Sequence, residues 1–209
     1  MRVAIVLAAG ALIAGANSAM AQTESGWMLD AQANCRAWYP TRLIDAAMTW
    51  SGACKRGRAD GTGTLEIRLG DKAVERYEGP VRDGAAEGKG TQQWADGTRY
   101  DGQFQGGAPN GQGVTTFPSG ATYTGEHRTG LPHGTGIYAW RNGARYDGEF
   151  VEGRAHGRGT YVVSGVAVPS ASGAGTYSGR WSNGCFRDGL RWAVIGVTAR
   201  DCGFNIERK

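Results

Sequence analysis

Apolar and polar positions alternate in short runs along most of this chain, and the runs recur at a fixed interval. In Arg99-Tyr100-Asp101-Gly102-Gln103-Phe104, alternation puts Tyr100, Gly102 and Phe104 on one face and Arg99, Asp101 and Gln103 on the other. In Gly113-Val114-Thr115-Thr116-Phe117, the residues Gly113, Thr115 and Phe117 share a face. Between the two runs, Gly106-Gly107-Ala108-Pro109-Asn110-Gly111 is turn chemistry throughout. Asp96-Gly97, Ser119-Gly120 and Asn142-Gly143 each stand just before the next such pair of runs, and Asn-Gly and Asp-Gly are strong hairpin signals. The pattern predicts an antiparallel meander with two strands per unit.

The units have one length. Tyr77, Tyr100, Tyr123 and Tyr146 follow one another at intervals of 23 residues, and glycines recur at +2, +7, +11 and +13 from each tyrosine. A period in this range marks a stacked-repeat architecture in which neighbours complete each other's core. Stacking in register predicts two ladders, one of the tyrosines and one of Trp94, Phe117, Trp140 and Val163. Glycine inside a strand normally weakens it, so its regular use here predicts close approach of rings to backbone.

The Tyr-x-Gly, Gly, Gly-x-Gly signature at this spacing resembles the MORN repeat (membrane occupation and recognition nexus), here in what reads as an exported bacterial protein. The resemblance implies an all-β fold: an elongated, twisted, single-layer antiparallel sheet of about a dozen strands. It also implies scaffolding or membrane-associated roles, with any catalysis lying outside the repeats.

Outside the regular blocks the pattern degenerates. Trp50 opens a fifth copy, with Gly57, Gly61 and Gly63 at +7, +11 and +13, and about four extra residues near Gly70–Ala73. Tyr177 opens a sixth, after a small-residue loop over 168–175. Residues 50–189 thus form six repeats, preceded by a cap over 22–49 and followed by one over 190–209. Residues 43–48 fit one helical turn or a loop, and Leu190–Val197 fits one or two closing strands. Met1-Arg2, an apolar stretch to Ala16 and Ala19-Met20-Ala21 predict a signal peptide over 1–21, cleaved after Ala21. Export to the periplasm or the cell exterior follows from it.

Four cysteines lie at the two ends, Cys35 and Cys54 before the regular blocks, Cys185 and Cys202 after them. In an exported chain they read as disulfides. About ten strands at ~4.8 Å separate the ends by roughly 45–50 Å, whereas a disulfide needs Cα atoms about 5.5–6 Å apart. That leaves Cys35–Cys54 and Cys185–Cys202.

Charge is mild: 23 basic residues stand against 19 acidic, and 22 against 19 once the leader and its Arg2 are removed. The signs alternate and form no basic run, which argues against nucleic acid as partner. His133 and His156 occupy the +10 position next to turn glycines, and His127 stands at +4 where other blocks carry Phe104, Phe150 or Trp181. Each Gly-x-Gly leads into a strand where a phosphate loop needs a helix. These patterns predict no enzyme, no metal and no cofactor. An open single sheet leaves aromatic surface uncovered, and exposed apolar surface marks interaction sites. The expected binding face is Trp94, Phe117, His127 and Trp140. Its expected occupant is a protein partner or a second copy, with envelope glycan or phospholipid as the alternative.

Overall fold

A computed structural model describes residues 26–39, 43, 45–163 and 171–204. The leader, its cleavage site and residues 168–170 of the small-residue loop lie outside the described residues. The first strands are β1 (Trp27–Asp30), β2 (Cys35–Trp38), β3 (Ala46–Trp50), β4 (Cys54–Lys55), β5 (Arg58–Ala59) and β6 (Gly61–Leu69). They lead into β7 (Lys72–Arg82), β8 (Ala85–Ala86), β9 (Gly88–Trp94), β10 (Arg99–Gln105), β11 (Ala108–Thr116) and β12 (Thr122–Arg128). The chain ends with β13 (Leu131–Ala139), β14 (Arg145–Val151), β15 (Arg154–Val163), β16 (Gly175–Trp181), β17 (Cys185–Asp188) and β18 (Arg191–Val194).

One antiparallel sheet runs in the order β16-β15-β14-β13-β12-β11-β10-β9-β7-β6-β3, so from β9 to β16 neighbours in sequence are neighbours in space. It does not close into a barrel. The alternation read from the sequence is the alternation of burial: in β10, Tyr100 and Phe104 are buried while Arg99, Asp101 and Gln103 face solvent.

The glycines at +2 and +13 make this packing possible. Each tyrosine ring lies flat across two of them, its own-strand glycine and the cross-strand partner on the next. A Cβ on Gly102 would stand 2.4 Å from the Tyr100 hydroxyl, and one on Gly113 would stand 2.4 Å from the Tyr100 ring. Gly102 and Gly113 are themselves paired. The pairing continues through Gly113–Gly125, Gly125–Gly136, Gly136–Gly148, Gly148–Gly159 and Gly159–Gly179. Beyond the glycines, each hydroxyl donates to the carbonyl three residues on: Tyr77 to Pro80 (2.8 Å), Tyr100 to Gln103 (2.9 Å) and Tyr123 to Glu126 (2.8 Å). Trp50 does the same job one copy earlier, since side chains on Gly52 and Gly63 would both strike its indole.

Two contacts couple one repeat to the next. The ring at +4 wedges between its own tyrosine and the preceding one. Phe104 lies 4.8 Å from Tyr77 and 5.2 Å from Tyr100, and Phe150 lies 4.9 Å from Tyr123 and 5.1 Å from Tyr146. The second contact is at the turns. The N–H of the +7 glycine donates to the carbonyl at +9 of the preceding copy: Gly107 to Ala86, Gly130 to Pro109, Gly153 to Pro132. These glycines have φ between 78° and 87° and follow a residue that is also left-handed, the paired geometry of a type I′ turn.

At each end a small ribbon folds onto the aromatic face. β1, β2, β5 and β4 form a four-stranded sheet, and β17 pairs with β18. Residues 43–48 do not form a helical turn: Ala46–Trp50 is a strand on β6, because Met48 and Trp50 alternate into the core. The tail does not extend the main sheet either. Arg191–Val194 pairs with β17 instead, which buries Phe186, Ala193 and Ile195 against Tyr177 and Trp181. Disulfides join Cys35 to Cys54 and Cys185 to Cys202, with Cα atoms 5.9 and 5.7 Å apart.

The outer strands of the main sheet are blunted. Asp30, buried in the first ribbon, accepts the Trp50 N–H at 2.9 Å. At the other end the Arg191 guanidinium donates to the Thr176 carbonyl at 2.6 Å and covers the Tyr177 ring. Occupied edge groups resist pairing with foreign strands.

Two predictions follow from the ring-over-glycine packing and the period. Gly113→Ala should cost about 1–3 kcal/mol by overpacking, and much less in a Tyr100→Ala background where the ring is gone. A double-mutant cycle by denaturant titration measures this coupling; purely additive costs would contradict the packing. Deleting residues 100–122, one whole period, should leave a shorter folded sheet with a lower melting temperature. Deleting half a period removes one strand and reverses the rest, and circular dichroism should show it unfolded.

Candidate interaction surface

The inner face carries two cores. The first gathers Met28, Cys35, Ala37, Met48, Trp50, Ile67, Tyr77, Tyr100 and Phe104 under the N-terminal ribbon. The second gathers Tyr123, Tyr146, Phe150, Tyr161, Tyr177, Trp181 and Phe186 under the C-terminal one. Beside the second core, at the ends of β11 and β13, the rings of Phe117, Tyr138 and Trp140 are only partly covered.

Phe117, Tyr138 and Trp140 form a continuous, half-buried strip there. Phe117 stacks on Tyr138 at 5.5 Å, Tyr138 meets Trp140 at 4.5 Å, and Trp140 reaches the buried Tyr161 at 5.3 Å. The turn between repeats positions two of these rings: the carbonyls of Phe117 and Trp140 accept the N–H of Gly120 and Gly143 at 2.9 and 3.0 Å. Tyr138 and Tyr161 were not singled out from the sequence. They stand two residues before the +17 position, on the same strand face, and the period-two rule applied once more would have found them.

The four residues expected to form one binding face do not form one. Trp94, half-buried like Phe117 and Trp140, lies apart from them: it packs against the first core with Tyr39, Leu43 and Val74, whereas Phe117 and Trp140 pack against the second. His127 is 3% exposed and offers nothing to a partner. It is the +4 coupler of the third repeat, standing 4.7 Å from Tyr100 and 4.9 Å from Tyr123. Its Nδ1 faces the Gly125 carbonyl at 3.1 Å, and its Nε2 faces the Thr115 hydroxyl at 2.8 Å. A carbonyl only accepts, so the ring proton sits on Nδ1 and Thr115 donates to Nε2. Phe117 and Trp140 remain as surface candidates.

A polar cluster unforeseen in the sequence lies beneath the N-terminal ribbon. Glu75, buried, receives the Tyr39 hydroxyl on one carboxylate oxygen and the Gln92 side-chain amide on the other. Burial pushes its carboxyl up, and the donors from Tyr39, Gln92 and Trp94 oppose the shift. Burial likewise pushes the Tyr100 hydroxyl up to about 12. Among the described residues no three His, Cys, Asp or Glu side chains gather as metal ligands would. Cys35, Cys54, Cys185 and Cys202 are all in disulfides. His133 and His156 stand at corresponding places in successive strand bulges, each half-buried.

Residues 77–99, 100–122, 123–145 and 146–162 match the MORN repeat family. The similarity spans these four blocks. MORN repeats generally serve as protein- or membrane-interaction modules. No curated protein shows a significant match to the chain.

His127 should make the joint between the repeats that open at Tyr100 and Tyr123 sensitive to acid. Burial lowers its affinity for a proton, outweighing the carbonyls of Gly125 and Gly111, which favour the charged form. The folded value therefore lies below the unfolded value of about 6.5. The neutral ring's contribution to stability is complete above that pH and is lost as pH falls through the folded value. Thermal melts of the wild type should decline with pH in this window. His127→Phe combined with Thr115→Val, which matches the Phe of neighbouring repeats and leaves no orphaned hydroxyl, should remove that part of the decline. An unchanged pH profile would assign the decline to other groups.

Proposed function

We propose that the protein is a non-enzymatic, exported interaction module that docks a protein partner, or a second copy of itself, on the uncovered middle of its aromatic face. The observation that carries this reading is the half-exposed strip of Phe117, Tyr138 and Trp140, left open between two ribbons that cover the same face at both ends. Large rings with partial exposure are enriched where proteins meet. Two stapled ends hold the strip on a rigid support, and rigidity lowers the cost of binding. Export is supported by the leader-like N-terminal sequence and by two cysteine pairs at disulfide distance, which persist in oxidising compartments.

The test separates the strip from the tyrosine row. Tyr123, fully buried, should cost about 3–5 kcal/mol of stability on Tyr123→Ala, the loss expected of a core aromatic. Trp140→Ala should reduce self-association or capture of a crosslinked envelope partner far more than it reduces stability. Thermal melts and sedimentation on the two variants read both quantities. Equal stability losses with association unchanged would make the strip core and end the docking reading. Saturable binding of purified glycan strands or phospholipid vesicles at the strip, with no protein partner, would reassign its occupant.

A further inference from the structure

The inner face of the repeat that opens at Tyr77 departs from its successors at two places. Two residues before Tyr123 and Tyr146 stand the buried Ala121 and Ala144, whereas Glu75 stands two residues before Tyr77. The position at +15 carries Thr115, Tyr138 and Tyr161 in the following repeats, and here it is Gln92. Gln92 is the direct cross-strand partner of Tyr77. Glu75 and Gln92 are 5% and 6% exposed, so one repeat has placed a carboxylate and an amide inside an aromatic core. Packing alone does not call for either group, because burying a charge without a counter-ion costs free energy.

The donors that meet Glu75 are the Tyr39 hydroxyl, the Gln92 amide and the Trp94 indole N–H, all of them neutral. Glu75 joins none of the ion pairs among the described residues. The Gln92 Oε1 is buried without a hydrogen-bond partner. Both side chains border an interior space of about 20 Å³, room for one group the size of a water molecule. The rings of Trp38, Tyr39, Tyr77 and Phe104 line the same space, and no Lys, Arg or His does. We infer that this space takes a primary ammonium group. The carboxylate supplies the opposite charge, the Gln92 oxygen accepts an N–H, and aromatic rings attract cations. A water molecule would bond to the amide oxygen and leave the charge unbalanced. A calcium or magnesium ion calls for six or more oxygen ligands, more than this lining offers. Trp38, Ala86 and Gly107 of the lining are partly exposed, so the ammonium head enters from their side and leaves its substituent outside. The site shares no residue with the strip of Phe117, Tyr138 and Trp140, so it stands or falls independently of the docking reading.

The test is titration of the full chain with ammonium chloride and with methylammonium chloride, followed through the Trp94 indole N–H resonance. Saturable shifts are expected from both. Glu75→Gln should weaken binding at least about tenfold, as loss of a charge-assisted contact implies. Its amide still accepts from Tyr39 and donates to the Gln92 oxygen, so the fold is kept. Trp38→Leu removes a ring, leaves the polar cluster in place, and should weaken methylammonium about threefold or more. Glu78→Gln, on the outer face and paired with Arg76, should change nothing. Binding of Nα-acetyl-lysine amide as tightly as methylammonium assigns the head to a lysine side chain offered by a protein. Binding confined to ammonium and methylammonium assigns it to a free amine. An equal response to sodium, potassium or tetramethylammonium chloride at the same concentration overturns the inference. So does the absence of a saturable shift in the wild type, or full binding retained in Glu75→Gln or Trp38→Leu.

Discussion

A tyrosine ring lying flat on two glycines is the contact from which the rest of this fold follows. A single sheet has no second layer to bury its apolar face, so its rings must supply thickness by lying down along the strands. That posture places ring atoms where a Cβ would be, on the same strand and on the next, as at Gly102 and Gly113 under Tyr100. Glycine at +2 and +13 is therefore obligatory wherever the ring is kept. The row of cross-strand glycine pairs from Gly90–Gly102 to Gly159–Gly179 is the trace that this requirement leaves through the sheet.

Glycine alone would make a weak sheet, because it costs more conformational entropy on folding than other residues. The compensation comes from contacts between units. A ring at +4 touches two successive tyrosines, and the turn glycine at +7 bonds to the turn before it. Each block is thereby tied to its neighbour on both its apolar face and its loop side. The ends have no further neighbour, and there the repeat gives way to ribbons that fold over the exposed rings and are closed by disulfides.

How much of this was legible depended on whether a residue belongs to the period. Tyr100, Gly102, Phe104 and Gly113 could be placed on their faces from spacing alone, and the cysteine pairs followed from the distance between the two ends. Ala46–Trp50 escaped because a single alternating run of five has no repeat to confirm it. The departure of β17 and β18 from the main sheet escaped for a related reason: strand pairing partners are chosen by tertiary burial, which a run such as Arg191–Val194 does not disclose. His127 misled in a third way. Its polarity suggested exposure, whereas its +4 position, the same as that of Phe104 and Phe150, dictated burial between two rings.

That position has a consequence for how the molecule holds together. The hydrogen-bonded ladder passes through β11, β12 and β13 without a break, but the apolar packing does not. One core ends at Tyr100 and Phe104, the other begins at Tyr123, and a histidine bonded to a threonine fills the space between. Backbone continuity and side-chain continuity thus have different extents in one sheet. In the language of cooperative units, the sheet offers two candidate foldons on one spine, each with its own ribbon and its own disulfide, joined through the His127 ring, and the half-covered strip of rings lies beside their common boundary.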